Sequence, residues 1–346
     1  MTENGLKVAV LAGGPSSEAE VSRVSASAVA RALAAAGHRT TLLELDGRLP
    51  KALSEGGYSV AFPALHGRLG EDGCVQGLLE VLDLPYVGAG VLASALAASK
   101  PDAKKLFRLA GLPVAPDVVV QAGEPLDERA LELRAVLGPA LVVKPAQGGS
   151  AIGVQRLRAS DPLNALVAAL QGALSGGDSA LVEPWVQGYE VTCGVLEDGE
   201  GVPHALPLTL VVSKAADWYD FTSRYAPGGS EHQCPAPFSR ELSARVQEIA
   251  VAAHRALGVR DLCRVDFVVG DQPGALAVTL LEVNTLPGMT PTSLFPEAAS
   301  VAGKSFIELC DSLVRRAHTR PRPKPVVAPR MPSAPPPAKD SGGRRA

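Results

Sequence analysis

The sequence lacks the marks of several protein classes. It contains no C-x-x-C pair, and its five cysteines, Cys74, Cys193, Cys234, Cys263 and Cys310, are odd in number and widely spaced. They read as reduced, mostly packed thiols, which argues against a disulfide framework or a zinc site. A basic surplus is missing too: 33 Lys and Arg against 36 Asp and Glu leave a net charge of -3. Nucleic-acid binders ordinarily carry such a surplus, so no nucleic-acid partner is expected. Long apolar runs are absent. The alanine-rich stretch 26–36 is interrupted by Arg31 and is too short to cross a bilayer, so no membrane partner is expected. The chain opens without a basic segment followed by an apolar one; no secretion signal is expected, and the expected compartment is the cytoplasm. Internal repeats are not evident. Gly13-Gly14 does not extend to G-x-G-x-x-G, so no dinucleotide site is inferred.

What is present is a chain of 346 residues, 46% hydrophobic and 20% charged, with room for two or three ordinary domains. Its most informative stretch is a pair of apolar, β-branched runs, Cys-Arg-Val-Asp-Phe-Val-Val at 263–269 and Leu-Leu-Glu-Val-Asn-Thr at 280–285, separated by a Gly/Pro turn. Two antiparallel strands are the natural reading. Alternation places Arg264 and Asp266 on one face, with Glu282 and Asn284 on one face of the partner strand. Val265, Phe267, Leu281 and Val283 then point to the core. The polar face fits two readings. Its charges could pair across strands in solvent, or Asp266, Glu282 and Asn284 could offer hard oxygens to magnesium that also holds substrate phosphates.

The N-terminal third alternates strands (7–11, 40–45, 60–65) with helices (19–36, 74–82, 93–98), the order of an open parallel sheet. Ser17 and Glu20 have capping-box spacing at the first helix. Ligands bind in the loops after strand ends of such sheets. Glu18 and His66 lie in two of those loops. Glu18 could equally answer the helix dipole, and His66 could be an ordinary hydrogen-bonded loop residue. Ser99 reads as the cap of a helix ending before Gly111, with Lys100 in its first turn, either solvated or aimed at a phosphate. A strand over 140–145 carries Lys144 into Gln147-Gly148-Gly149-Ser150, either a plain hairpin turn or a cradle of backbone N–H groups for an anion. Residues 181–190 read as strand, linker, strand, with Glu183 and Glu190 at the two ends of the linker. Residues 214–232 suit a lid better than a connector. Prolines and basic residues dominate from 321 onward, as in a disordered appendage.

Gly13-Gly14-x-Ser16-Ser17-Glu18, Leu65-His66-Gly67, Val143-Lys144-Pro145, Tyr219-Asp220-Phe221 to Arg224-Tyr225, and the hairpin followed by Pro287-Gly288-Met289-Thr290 together resemble the D-alanine:D-alanine ligases of the ATP-grasp superfamily. The resemblance spans about residues 7–315 and implies an α/β fold of three domains. An N-terminal open parallel sheet domain (1–99) would precede central (100–187) and C-terminal (188–318) α+β domains clamping ATP, with the lid near 214–232 and a tail over 319–346.

The resemblance also implies roles. Lys100, Lys144 and Arg224 would contact ATP phosphates; Glu183, the backbone of Trp185 and Val186, and Glu190 would hold adenine and ribose. Asp266, Glu282 and Asn284 would bind two Mg²⁺ or Mn²⁺ ions, beside the oxyanion-stabilising Arg264 and the N–H of Gly288. Glu18, tied through Ser150 to Tyr225, would take the first D-alanine with His66. Ser293 and the N–H of Leu294 would take the second. A homodimer is implied as well. Four positions depart from the family pattern: Arg224 and Pro184, where lysine is common, Ala151, where a second serine is common, and Gly148, where a bulkier residue is usual. The rival readings are a D-alanine:D-lactate or D-alanine:D-serine ligase and a non-catalytic nucleotide-binding module. Tyr225 favours the dipeptide over the first two, and the full set of Arg264, Asp266, Glu282 and Asn284 speaks against the module.

Overall fold

A computed structural model describes residues 5–214, 229–270 and 278–321. The expected alternation at the N-terminus yields a parallel sheet of order β2-β1-β3, from β1 (Lys7–Ala12), β2 (Arg39–Glu44) and β3 (Val60–Pro63). β1 is buried on both faces, as its unbroken apolar run requires. Helix α1 (Ala19–Ala35) covers one face with Ala26, Val29 and Leu33; α2 (Leu49–Glu55) and α3 (Cys74–Val81) supply Leu49, Leu53, Val75 and Leu79 to a second cluster with Ala9 and Leu11. The capping box does not form. Glu18, not Ser17, is the residue before the helix, and Glu20 pairs with Arg23 at 3.1 Å.

Helices α4 (Val91–Ala98) and α5 (Lys100–Leu109) meet at Ser99, whose hydroxyl donates to Asp102 rather than capping the backbone. A second sheet, of order β4-β7-β5-β6, follows from β4 (Val118–Gln121), β5 (Leu141–Pro145), β6 (Gln155–Leu157) and β7 (Ser179–Pro184). Its apolar face is covered by α6 (Leu126–Leu137) and α7 (Leu163–Leu174), with Leu133, Leu166 and Leu170 in the shared core.

The third sheet, β10-β9-β8-β11-β12, is antiparallel: β8 (Tyr189–Glu197), β9 (Pro203–Ser213), β10 (Ser230–Gln233), β11 (Leu262–Val269) and β12 (Val278–Asn284). Helix α8 (Arg240–Ala256), N-capped by Ser239, closes one face. Helices α9 (Leu294–Val301) and α10 (Phe306–Thr319) return to α1 and share its core through Phe295, Leu309 and Leu313.

The expected lid falls mostly outside the described residues; of it, 230–232 belong to β10. The expected tail lies outside them from 322 on, Thr319 being the end of α10 and Arg320 an ion-pair partner of Asp261.

Candidate active site

The hairpin β11–β12 alternates as its sequence requires, with Val265 and Phe267 buried in the core. Register sets Asp266 opposite Glu282 and Arg264 opposite Asn284. A bulge after Asp266 alters one expectation. Phe267 pairs with Leu280, so Leu280 fills the core and Leu281, the extra residue, faces a cavity. Arg264 grips Asp266 with two parallel hydrogen bonds of 2.8 Å, and Asn284 Nδ2 donates to Asp266 Oδ2 at 3.0 Å.

Like charges directly opposite across strands repel, so the Asp266–Glu282 pair requires cations. Arg264 supplies one, and Lys100 Nζ stands 3.7 Å from Glu282 Oε2. Lys100 also donates to the carbonyl of Gly148. Burial lowers its pKa, with help from Lys144, against the pull of Glu282.

Two cavities meet at Lys100, Gly148 and Glu282. The first, of about 970 Å³, takes Lys144, Glu183, Trp185, Val186 and Glu190 into its walls. At its back Glu183 is buried, one carboxylate oxygen accepting from Lys144 and the other from Lys104. Lys104 in turn lies 3.1 Å from Asp117, which also pairs with Arg108. Burial alone would raise the Glu183 pKa, but Lys144 and Lys104 outweigh it and hold the carboxyl below the usual range. The second cavity, of about 980 Å³, runs past Gly67, Glu71 and Asn284.

Beside that second cavity, Ser150 Oγ donates to Glu18 Oε1 across 132 residues of sequence. Ser150 and Ala151 both hold positive φ, 52° and 56°, in the glycine-rich turn that aims the hydroxyl at Glu18. Gly67 packs against the same carboxylate: with φ 73°, a Cβ there would stand 3.1 Å from Glu18 Oε2. His66 is buried, its Nδ1 3.5 Å from Glu71 Oε1, and its Nε2 has no hydrogen-bond partner among the described residues. Ser16 ties the loop down by donating to the His66 carbonyl at 2.8 Å.

Ser293 precedes α9, so the N–H of Leu294 belongs to a first turn whose donors have no intrahelical acceptor. Its hydroxyl accepts from the Thr290 N–H at 3.1 Å, and a Cβ on Gly288 would approach it to 3.0 Å. The fold thus groups Glu18 with Ser150, Lys100 with Glu282, Lys144 with Glu183, Arg264 with Asp266 and Asn284, and Gly288 with Ser293. Arg224 and Tyr225 lie outside the described residues.

Three contributors escaped the sequence reading. Lys104 sits one helical turn beyond Lys100, a spacing that places both on one face of α5. Glu71 also accepts the Gly67 N–H at 2.8 Å. Arg156, in the middle of β6, lines the first cavity, and no local pattern singles it out.

For the implied metal, the donors present are two carboxylates and an amide on adjacent strands. Among the described residues no three or more His, Cys, Asp or Glu side chains are grouped so that they could hold a metal ion by themselves. Magnesium that also binds substrate phosphates needs only one or two protein carboxylates, so this oxygen set fits it. Asn284, donating through its nitrogen to Asp266, retains an amide oxygen for the same purpose.

The chain matches the family described as D-ala D-ala ligase C-terminus over residues 106–315 and that described as D-ala D-ala ligase N-terminus over 44–89. It is 46% identical over 312 residues to the D-alanine–D-alanine ligase of Parvibaculum lavamentivorans, covering 90% of this chain and 97% of that one. It is 44% identical to that of Desulforudis audaxviator, covering 91% and 99%. Among solved structures, the Bacillus anthracis D-alanine–D-alanine ligase complexed with ATP superposes with a TM-score of 0.76 at 29% identity, covering 90% and 97%. The Coxiella burnetii enzyme gives 0.74 at 26%, covering 90% and 95%. A family model over residues 106–315 and relatives 44–46% identical across nine-tenths of the sequence show that this chain belongs to the D-alanine–D-alanine ligase family.

Proposed function

We propose that the protein joins two D-alanines to D-alanyl-D-alanine at the cost of one ATP, supplying a peptidoglycan precursor. The observation that carries this reading is the β11–β12 register, which sets Asp266 against Glu282 and Arg264 against Asn284 where the two cavities meet. One cavity then holds nucleotide and the other amino acid, with the γ-phosphate between them.

A carboxylate is a weak electrophile, so the carboxylate of the first D-alanine attacks the γ-phosphorus of ATP, expelling ADP and forming a D-alanyl phosphate. The amine of the second D-alanine adds to that carbonyl, and the tetrahedral oxyanion collapses with loss of phosphate. Glu183 and the backbone at Trp185 and Val186 receive the adenine, and Glu190 the ribose. Lys100 and Lys144 neutralise phosphate oxygens, joined by Arg224; catalysis of this kind is mostly positioning and charge neutralisation. Glu18, oriented by Ser150, takes the ammonium of the first D-alanine, and His66, held in the neighbouring loop, serves the same substrate. Arg264, fixed by its two hydrogen bonds to Asp266, stabilises the oxyanion together with the Gly288 N–H. Ser293 and the Leu294 N–H take the carboxylate of the second D-alanine. Asp266, Glu282 and Asn284 would hold two Mg²⁺ or Mn²⁺ ions, which neutralise phosphate charge when bound. Tyr225 completes the Glu18–Ser150 chain from a lid that keeps water from the acyl phosphate.

The division into 1–99, 100–187 and 188–318, a cytoplasmic location and a homodimer belong to the same reading. The three-part division is supported by three separate sheets, one in each segment. A coupled phosphate-release assay offering D-alanine alone, then D-alanine with D-lactate or D-serine at neutral pH, tests the substrate assignment. Turnover is expected to be fastest with D-alanine alone; faster turnover with D-lactate or D-serine would replace the dipeptide by the mixed product.

A further inference from the structure

Arg156 lies in the middle of β6, the edge strand of the second sheet. Its strand partner is Val142 on β5, and Val142 is also the partner of Glu183 on β7. Arg156, Val142 and Glu183 therefore form one row across three adjacent strands. Residues directly opposite one another present their side chains to the same face, and all three line the first cavity. Two strand spacings, ~10 Å in all, separate the cation from the anion, with an apolar floor between. That spacing accommodates a planar bicyclic base whose edge offers a donor at one end and an acceptor at the other.

The guanidinium does not lie loose. Its Cζ sits 3.7 Å from the ring centroid of Trp185, the residue that follows β7 and lines the same cavity. Arginine stacks face-on against aromatic rings and leaves its N–H edges available for hydrogen bonds in the stacking plane. Trp185 is thus a platform as well as a wall. At the other end of the row, Glu183 is held ionised by Lys144 and Lys104 and can only accept. An exocyclic amine suits Glu183, and a ring nitrogen acceptor suits Arg156. The adenine edge carrying N6 and N7 has this order of donor and acceptor. The position next to Glu183 is Pro184, which offers no cation of its own.

We propose that Arg156, stacked on Trp185, is the cation of the base pocket and selects the purine by donating to its N7 acceptor. The inference rests on the reading of this cavity as the nucleotide site. Charge-assisted hydrogen bonds are the strong ones, and losing one corresponds to about a tenfold or greater loss in affinity.

The test uses the full-length protein in the D-alanine-dependent phosphate-release assay, with wild type, Arg156→Ala and Arg156→Lys, and with ATP or 7-deaza-ATP, which lacks the N7 acceptor. Wild type is expected to show a KM about tenfold higher for 7-deaza-ATP than for ATP. Arg156→Ala should raise KM for ATP about tenfold, with kcat changing less than KM and KM for D-alanine unmoved, and should no longer distinguish the two nucleotides. Arg156→Lys should recover part of the discrimination. Wild type that treats both nucleotides alike would overturn the assignment, whatever the fate of the variants. So would an Arg156→Ala enzyme that still discriminates, or one in which KM for ATP and KM for D-alanine rise together. A wild-type protein that releases no phosphate at all would instead remove the nucleotide reading on which the inference stands.

Discussion

Lys104 is a charged side chain only 1% exposed, paired with Glu183 and Asp117. Burial brings its pKa from the ordinary 10.5 down to about 8, against the attraction of Glu183. Below pH 8 the lysine is protonated in folded and unfolded chains alike. Between 8 and 10.5 the unfolded chain keeps the proton and the folded one has lost it, so stability rises with pH. Over that interval, at about 1.4 kcal/mol per pH unit, the gain is on the order of 3 kcal/mol. Lys104→Met cannot titrate and lacks this gain. At pH 7 the variant loses two ion pairs but also the cost of burying a charge. Glu183 keeps Lys144 and Asp117 keeps Arg108, so the difference there should stay within about 2 kcal/mol. Urea denaturation of both proteins at pH 7, 8, 9 and 10 gives the difference directly. It should widen in favour of the wild type as pH increases. A difference that is flat or shrinks over this range would mean that Lys104 holds its proton in the folded state and that burial does not lower its pKa.

Other outcomes follow from the same contacts. Ser150→Ala unties Glu18 and should raise KM for D-alanine by about tenfold or more, the worth of a hydrogen bond to a charged group; initial rates at saturating ATP measure it. Arg264→Ala should lower kcat by on the order of 10², as loss of one oxyanion donor does elsewhere, with stopped-flow phosphate detection as the readout. Arg316→Met leaves fully buried Asp261 with Arg320 and Glu197 with His254. Because both carboxylates keep a partner, that loss of a shared cation should cost about 1–2 kcal/mol, read as a lower urea midpoint.

The hairpin was legible because a period of two, read on β-branched runs, sorts side chains by face without knowledge of the partner strand. The bulge at Asp266/Phe267 was not: an inserted residue leaves no mark in composition, and it moved Leu281 from core to cavity. The parallel N-terminal sheet followed from alternating strands and helices, whereas the capping box failed because Glu18 itself occupies the position before α1. Pairings such as Ser150 with Glu18 join segments far apart in sequence, so periodicity could not supply them and only family resemblance did. Lys104 and Arg156 depend on which face of α5 is buried and on the β6-β5-β7 register, and both are set by tertiary packing.

The central claim is that oxygens from Asp266 and Glu282 serve the phosphorylation of a D-alanine carboxyl by ATP. Its most direct test measures phosphate and D-alanyl-D-alanine formed by the purified protein with ATP, Mg²⁺ and D-alanine, before and after Asp266 and Glu282 are both changed to alanine. The wild type is expected to yield one phosphate per dipeptide and the double variant neither product. Phosphate without dipeptide, or a double variant as active as the wild type, would contradict it.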